Sequence, residues 1–260
     1  MYHLIVNTIK VLITQDEQIL QYITGIDFLL CTPVLCKKNF VKVLIVGANG
    51  KVGTLLSGKL WQASGFSPVA LIRDSKQQTK FTALGVPSLV GDLENGIVSF
   101  LLGMDAVVFT AGSGSHTGED KTTDVDQNAA IRLMKDCEKE GVSRFVMISA
   151  IGSDPNSESK RIRHYLRAKG VADAYLRSTN LDYTILAPGS LIDERGTGRV
   201  QISENLGFHG YLPREDLADC IVESLRNLNS ISKTIQIISG GQKTKDAFSE
   251  LLGVGLPPIA

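Results

Sequence analysis

The chain has 260 residues, of which 43% are hydrophobic, and its 27 basic residues are balanced by 27 acidic ones. A neutral chain of this size can build one substantial core, and its charge argues against nucleic acid or a membrane surface as a partner. Its four cysteines lack Cys-x-x-Cys spacing, which argues against a zinc site or a disulfide framework and favours reduced thiols in a cytoplasmic protein.

Residues 1–40 differ in pattern from the rest of the chain. The apolar stretch 28–36 is shorter than the roughly 18 residues that a bilayer-spanning helix needs, and it lacks the features of a secretory signal. Two interpretations stay open: an optional or non-native extension before a start near Val41, or an added element packed on the domain edge. We therefore treat 1–40 as an extension of uncertain status and 41–260 as the domain.

From residue 42 onward, short β-branched runs alternate with segments that carry apolar residues at helical spacing. The predicted strands are residues 43–46, 68–73, 87–90, 105–110, 144–149, 181–186 and 234–238. The predicted helices are residues 50–64, 75–84, 93–102, 126–141, 158–178 and 214–228. This alternation predicts an α/β fold in a single domain, with a doubly wound parallel sheet and helices on both of its faces.

The turn after the first strand carries three glycines, at positions 47, 50 and 53. Gly47 allows a tight turn, Gly50 lets the backbone approach a pyrophosphate, and Gly53 lets the helix pack near the strand. The spacing is one residue wider than G-x-G-x-x-G, and a purely structural turn is the alternative. The residues predicted to contact a dinucleotide here are Gly47, Ala48, Asn49, Gly50, Lys51, Val52 and Gly53.

The second predicted strand ends at Arg73, where an acidic residue would bind the ribose of NAD. A guanidinium group instead suits a ribose phosphate, so the sequence favours NADP as the cofactor. The alternative is a solvent-facing charge at the end of a strand. Asp74 lies beside Arg73, so NAD remains possible.

The next two strand ends supply further candidate cofactor contacts. After the third strand, the carboxylate of Asp92, followed by Leu93, could accept a hydrogen bond from an adenine amino group, although aspartate is also a common helix cap. After the fourth, Ala111 and Gly112 would let a flat cofactor lie against the backbone, although small residues also simply make turns.

Tyr165 and Lys169 are four residues apart in the helix that follows the fifth strand, so they share one helical face. A neighbouring ammonium group acts to lower the pKa of a phenol, and such a pair can exchange a proton with a substrate oxygen. The alternative is an ordinary amphipathic helix with both side chains on its surface. Its position after the fifth strand favours the catalytic interpretation.

Together these motifs and the run Leu181–Gly189 resemble the atypical short-chain dehydrogenase/reductases, specifically the NmrA-like and sugar epimerase-like NAD(P)-binding proteins. The resemblance covers roughly residues 42–252 and implies a Rossmann fold that holds NADP. It also implies that Ser149, Lys169 and Pro188 lie around the nicotinamide half, with Ser149 as a third catalytic candidate. The chain departs from the family pattern at Ile151, where extended members of the superfamily carry a catalytic serine, and at Ala187, where many relatives have arginine.

Two functions remain in view. The first is an NADP-dependent oxidoreductase or epimerase that acts on a small carbonyl or alcohol substrate through Tyr165 and Lys169. The second is a sensor or regulatory protein that binds NAD(P) without turnover, which Ile151 favours. The histidines show no metal-ligand spacing, so no metal site is predicted. The sequence fixes neither the substrate nor the oligomeric state.

Overall fold

A computed structural model describes residues 11–13, 19–21, 40–112 and 122–251, without the side chain of Glu94. The chain divides into two compact units, Met1–Asn39 and Phe40–Ala260. In the first unit, Val11–Ile13 and Ile19–Gln21 pair as short antiparallel strands. The apolar stretch 28–36 lies outside the described residues.

The second unit is built on a nine-stranded, mostly parallel sheet. The strands of this unit are β1 (Val41–Val46), β2 (Phe66–Ile72), β3 (Ser88–Val90), β4 (Ala106–Phe109), β5 (Arg144–Ile148), β6 (Asp182–Pro188), β7 (Ser190–Ile192), β8 (Arg199–Ser203), β9 (Tyr211–Pro213), β10 (Lys233–Ser239) and β11 (Gln242–Lys243). The order across the sheet is β11-β8-β10-β6-β5-β4-β1-β2-β3. Strand β8 is antiparallel to both of its neighbours, and β7 and β9 form a separate parallel pair.

Helices cover both faces of the sheet, which confirms the predicted fold class. They are α1 (Lys51–Gln62), α2 (Gln78–Ala83), α3 (Ala130–Glu140), α4 (Arg163–Arg177), α5 (Arg214–Arg226) and α6 (Thr244–Ser249), and a π-helical turn, Thr123–Ala129, leads into α3. One hydrophobic cluster joins the sheet to α1 and α5, and the other joins it to α3 and α4. Because successive residues from Val43 to Val46 enter opposite clusters, this part of β1 is apolar on both of its faces.

Two predicted helices differ from the structure. Residues 93–102 form two 3₁₀ turns, Leu93–Asn95 and Val98–Phe100, separated by Gly96 at a φ of +84°, which interrupts a helix. The helix expected from residue 158 begins at Arg163, because Ile162 has a non-helical backbone with a φ of −135°. The sequence analysis also missed β7, β8, β9, β11 and α6.

The strand order reverses direction between β1 and β4, which are neighbours although β2 and β3 lie between them in the chain. In open parallel sheets the ligand crevice forms at such a point, beyond the carboxyl ends of the strands. Within the described ranges, no helix is both long enough and apolar enough to cross a lipid bilayer.

Candidate functional site

A cleft of about 390 Å³ opens at the point where the strand order reverses. Its walls come from the carboxyl ends of four neighbouring strands, β1 to β4. The lining residues are Val46, Gly47, Asn49, Gly50, Leu71, Ile72, Arg73, Gln77, Gly91, Asp92, Leu93, Thr110, Ala111, Gly112 and Val125. The crevice that the strand order requires is therefore present, and eight of the residues predicted for cofactor binding lie on its wall.

The three glycines of the β1–α1 turn have different surroundings. Gly47 has a φ of +84°, and a Cβ there would lie 2.5 Å from the backbone nitrogen of Ala111. A Cβ at Gly53 would lie 2.5 Å from the carbonyl oxygen of Gly47, so Gly53 lets the helix approach the turn. A Cβ at Gly50 would meet only that same oxygen, at 3.2 Å, so the space beside Gly50 is open to the cleft.

The first turn of α1 is suited to a phosphate group. Gly50 is the N-cap residue, no side chain caps the helix, and no acidic residue occupies its first turn. The unpaired N–H groups and the positive end of the helix dipole are therefore left for an anion. Since the open space beside Gly50 is what a Cβ would fill, the turn fits the pyrophosphate of a dinucleotide.

Arg73 lies one residue beyond β2 and is exposed on the cleft wall. In the part of the chain that the structure describes, its guanidinium group has no ion pair or hydrogen bond. Asp74 instead caps the following 3₁₀ turn, where its Oδ1 accepts a hydrogen bond of 2.9 Å from the backbone nitrogen of Lys76. The carboxylate that could have bound a ribose is therefore engaged in its own turn.

The ends of β3 and β4 close the other side of the cleft. Asp92 and Leu93 lie on its wall as half-buried residues, and the carbonyl oxygen of Asp92 accepts the backbone N–H of Asn95 at 3.1 Å. Ala111 and Gly112 continue the wall from β4. These four residues line the cleft, and their contact with a cofactor stays a prediction.

Four residues of the Gly-rich turn do not line the cleft, and Gly53 is one of them. Ala48 is fully buried, and Val52 packs against the hydrophobic cluster on the α1 side of the sheet. Lys51 lines a wider groove of about 620 Å³, which shares Asn49 with the cleft. There Lys51 pairs with Asp193, which also pairs with Arg214 at 2.7 Å.

Beneath the Gly112 end of the cleft lies a buried ion pair that the sequence analysis did not expect. The Nζ of Lys169 lies 3.1 Å from Oδ1 of Asp126 and donates a hydrogen bond of 3.0 Å to the carbonyl oxygen of Ile148. Both side chains are at most 4% exposed. A Cβ on Gly112 would lie 3.2 Å from the same Asp126 oxygen, which places the pair directly under the cleft wall.

The electrostatic effect of Lys169 on Tyr165 is weaker than the sequence suggested. The two side chains are neighbours, with Nζ 6.0 Å from the centre of the tyrosine ring. Burial nevertheless raises the pKa of Tyr165, and Asp126 and Asp173 raise it further, so the lowering by Lys169 is outweighed. The pKa of Lys169 is raised although burial acts against it, because Asp126, Tyr165 and Asp173 favour its charge.

Ser149 is buried rather than open to a ligand. Its Oγ lies 2.5 Å from Oδ2 of Asp173 on α4 and 2.9 Å from Oγ of Ser153, which in turn donates a hydrogen bond of 2.9 Å to the carbonyl oxygen of Ala150. Burial raises the pKa of Asp173 to about 6, although its hydrogen bond with Ser149 and the charge of Lys169 act to lower it.

Pro188, the last residue of β6, is buried, and its carbonyl oxygen accepts the backbone N–H of Ile151 at 3.0 Å. This bond ties the end of β6 to the segment that follows β5. Pro188 thus lies beside the turn after Ser149, but outside the lining of the cleft.

The sequence analysis missed the two buried carboxylates, Asp126 and Asp173. A signal for Asp173 exists, because it lies one helical turn after Lys169 on the face that also carries Ala172 and Leu176. A charged residue on an apolar helix face is rarely buried without a partner. Asp126 stands in a polar segment and offers no comparable signal.

Comparison with known proteins gives consistent results. A family model described as NAD(P)H-binding matches residues 47–228, more than half of the chain. The Saccharomyces cerevisiae protein YMR090W is 39% identical over 225 residues, which cover 81% of this chain and 99% of the relative. A solved Bacillus halodurans structure, named for the NAD-dependent epimerase/dehydratases, is 38% identical with a TM-score of 0.77, and the match covers 81% of this chain and 100% of that one. The oxidoreductase ylbE of Lactococcus lactis is 32% identical with a TM-score of 0.70, and the match covers 81% and 96% of the two chains.

Proposed function

The chain belongs to the NAD(P)H-binding family of oxidoreductase-like and epimerase-like proteins, and from this premise we propose that it is an NADP-dependent enzyme acting on a small carbonyl or alcohol substrate. The resemblance stated from the sequence is confirmed at the level of family and fold. The preference for NADP, the substrate class and the roles of individual residues are what the proposal adds.

Arg73 is the observation that carries the choice of NADP. Its side chain is exposed on the cleft wall, whereas the carboxylate of Asp74 is engaged in capping its own turn. A planar guanidinium fork matches the oxygens of a ribose phosphate and offers nothing comparable to a ribose hydroxyl pair. The turn 47–53 would hold the pyrophosphate, and Asp92 and Leu93 would face the adenine.

Titration of the protein with NADPH and NADH tests this proposal. Arg73→Ala should weaken NADPH binding by about 1.5–3 kcal/mol, the range for a hydrogen bond to a charged group, and leave NADH binding nearly unchanged. Arg161→Ala is the matched control, because Arg161 is also exposed but does not line the cleft. Equal losses for the two cofactors in Arg73→Ala would contradict the preference for NADP.

Tyr165 is the residue we assign to proton transfer. Since burial raises its pKa, the phenol stays protonated at neutral pH and acts as a donor toward a substrate oxygen. Lys169 is held by Asp126 and by the carbonyl oxygen of Ile148, so its role is to position the tyrosine and the nearby backbone. When bound, the cofactor supplies the hydride, and a protonated donor beside it suits reduction of a carbonyl group.

A second candidate function, a sensor that binds NADP without turnover, has its own supporting observation. Ile151 stands where extended relatives carry a catalytic serine, and Ser149 is 2% exposed. A screen of small aldehydes and ketones, read as loss of NADPH absorbance, separates the two. Turnover favours the enzyme, and tight NADPH binding without turnover over a broad panel favours the sensor.

A further inference from the structure

Three oxygen atoms form a continuous chain from the interior to the turn after β5. Asp173 on α4 lies 2.5 Å from Ser149, which lies 2.9 Å from Ser153, measured between the carboxylate oxygen and the two hydroxyl oxygens. Asp173 and Ser149 are each 2% exposed, whereas Ser153 is half-buried. This row of oxygen atoms therefore begins at a buried carboxyl group and ends at a half-buried hydroxyl in the turn after β5.

The turn that carries Ser153 is fixed against the helix that carries Asp173. The backbone nitrogen of Asp154 donates a hydrogen bond of 3.2 Å to the carbonyl oxygen of Leu166. A Cβ on Gly170 would lie 2.3 Å from the carbonyl carbon of Asp154, so the helix and the turn are in direct contact. Packing of the turn against the helix therefore sets the distances between the oxygen atoms of Asp173, Ser149 and Ser153.

The hydrogen bonds among Asp173, Ser149 and Ser153 are compatible with both the ionised and the protonated form of Asp173. A serine hydroxyl has one proton, so Ser149 can donate either to Asp173 or to Ser153, and the structure places both acceptors within reach. With Asp173 ionised, Ser149 donates inward, and 2.5 Å is typical of a hydroxyl bonded to a carboxylate. With Asp173 protonated, the carboxyl group donates to Ser149, Ser149 donates to Ser153, and Ser153 donates to the carbonyl oxygen of Ala150.

Burial, and not the surrounding charges, favours a proton on Asp173. Lys169 and Arg177 on its own helix act to lower its pKa, and Lys169 is paired with Asp126 of the π-helical turn at 3.1 Å. Within the described residues, Oδ1 of Asp173 has no hydrogen-bond partner, so the ionised form would leave a buried charged oxygen unsatisfied. Burial accordingly raises the pKa of this carboxyl group to about 6.

We propose that Asp173, Ser149 and Ser153 form a proton relay that connects a buried carboxylic acid to an oxygen atom bound beside the turn 150–153. The proton of Asp173 passes to Ser149, the hydroxyl proton of Ser149 passes to Ser153, and that of Ser153 passes to the bound oxygen. Asp173 is left as a carboxylate and regains its proton from water by the reverse path. The relay rests on the proposed function and gives the site a proton source independent of Tyr165.

Infrared spectroscopy of the full chain without cofactor tests the relay directly. We expect a carbonyl band of a protonated carboxyl group that disappears with a midpoint near pH 6 and is absent from Asp173→Asn. In Ser149→Ala the midpoint should move upward, because the hydrogen bond that lowers the pKa is lost. Absence of this band at every pH from about 4 to about 8 would overturn the proposal.

Proton transfer from Asp173 through Ser149 and Ser153 can be measured separately. After mixing with heavy water, the shift of this band reports how fast the Asp173 proton exchanges. Ser149→Ala and Ser153→Ala should slow that exchange by about tenfold, the factor that one hydrogen bond commonly contributes. Ser157→Ala, a serine of the same loop outside the chain, should leave it unchanged. Unchanged exchange in both relay variants would show that Asp173 stores a proton without passing it on, which contradicts the relay.

NADPH titration of the same samples keeps the two proposals apart. Asp173→Asn retains the shape of the side chain, so it should bind NADPH as the wild type does. Wild-type protein that fails to bind NADPH counts against the proposed function, whereas the infrared titration and exchange decide the relay.

Discussion

Gly50 is the residue on which the position of the pyrophosphate depends most. A Cβ there meets only the carbonyl oxygen of Gly47, at 3.2 Å, so a larger side chain enters the cleft rather than the core. We expect Gly50→Val to abolish NADPH binding while the far-UV circular dichroism spectrum and the melting temperature stay close to those of the wild type.

Gly241→Ala serves as the matched control for this change. It also has open space beside it, with no heavy atom within 4 Å of an added Cβ, but it does not line the cleft. Normal NADPH binding in Gly50→Val would place the pyrophosphate elsewhere.

Asp173 makes the stability of the fold depend on pH. Its pKa rises from 3.8 to about 6 on folding, so its contribution is most favourable below about pH 4 and is lost as the pH rises through 6. The difference corresponds to about 3 kcal/mol. We expect Asp173→Asn to gain up to that amount relative to the wild type between about pH 3 and pH 8, measured by urea unfolding.

A substitution that removes no ionisable group provides the comparison for that titration. Gln62→Ala, at an exposed residue of α1, should give a curve parallel to that of the wild type at every pH. If the curve of Asp173→Asn is also parallel, the carboxyl group of Asp173 does not change its affinity for protons on folding.

At this scale the sequence located residues whose role follows from local geometry. Gly47, Gly50 and Arg73 lie on the cleft wall. They could be found from the sequence because a glycine-rich turn and the end of a strand are both recognised from neighbouring residues alone. Asp126 escaped notice because its partner, Lys169, lies on another element. Asp173 lies one helical turn after Lys169, but its hydrogen-bond partner, Ser149, comes from the end of β5.

Helix α1 contains two glycines, and replacing each by alanine should change the stability of the protein in opposite directions. A Cβ on Gly53 would lie 2.5 Å from the carbonyl oxygen of Gly47 and 2.7 Å from Cα of Ala48, both backbone atoms. On Gly58 it would meet only a methyl group of Leu84, at 3.9 Å. We expect Gly53→Ala to destabilise the protein by about 1–3 kcal/mol through overpacking and Gly58→Ala to stabilise it by up to about 1 kcal/mol.

Urea unfolding of both variants measures these changes, and NADPH titration shows whether the turn has moved. Gly58→Ala is itself the control, since it adds the same methyl group to the same helix away from the strand. A loss of stability in Gly58→Ala or a gain in Gly53→Ala would contradict the packing described for α1.

Elements with a strong apolar pattern, either a continuous run or a helical period, were predicted within a few residues, as β1, β5 and α1 illustrate. The failures have physical reasons. Strands β7, β9 and β11 have two or three residues each, too few for any period to be visible. Residues 93–102 carry apolar side chains at helical spacing, but Gly96 adopts a positive φ that separates two short turns.

For the whole molecule, alternation of strands and helices predicted a parallel sheet with both faces covered, and it could not give the order of the strands. The order depends on which position in the sheet each strand takes after the helical connection that precedes it. The order in turn sets the position of the cleft between β1 and β4. The glycine turn after β1 supplied the missing information indirectly, because such a turn works only where the crevice opens.

The second unit should be sufficient for folding and for cofactor binding. Both hydrophobic clusters and every residue that lines the cleft fall between residues 43 and 251. The backbone nitrogen of Val41 donates a hydrogen bond of 2.9 Å to the carbonyl oxygen of Gly65, so a deletion has to keep Val41 within the chain. We expect a protein that lacks residues 1–38 to unfold cooperatively, within about 0.5 kcal/mol of the full chain as for changes outside a core.

NADPH affinity and thermal unfolding of the full and shortened chains, measured side by side, test this expectation. A second deletion that also removes residues 39–46 is the control, because it takes away β1, an interior strand beside the cleft, and should abolish cooperative unfolding. If the shorter deletion already lowers the melting temperature sharply or weakens NADPH binding, the first 38 residues contribute to the core or to the site. The folded domain would then include these residues.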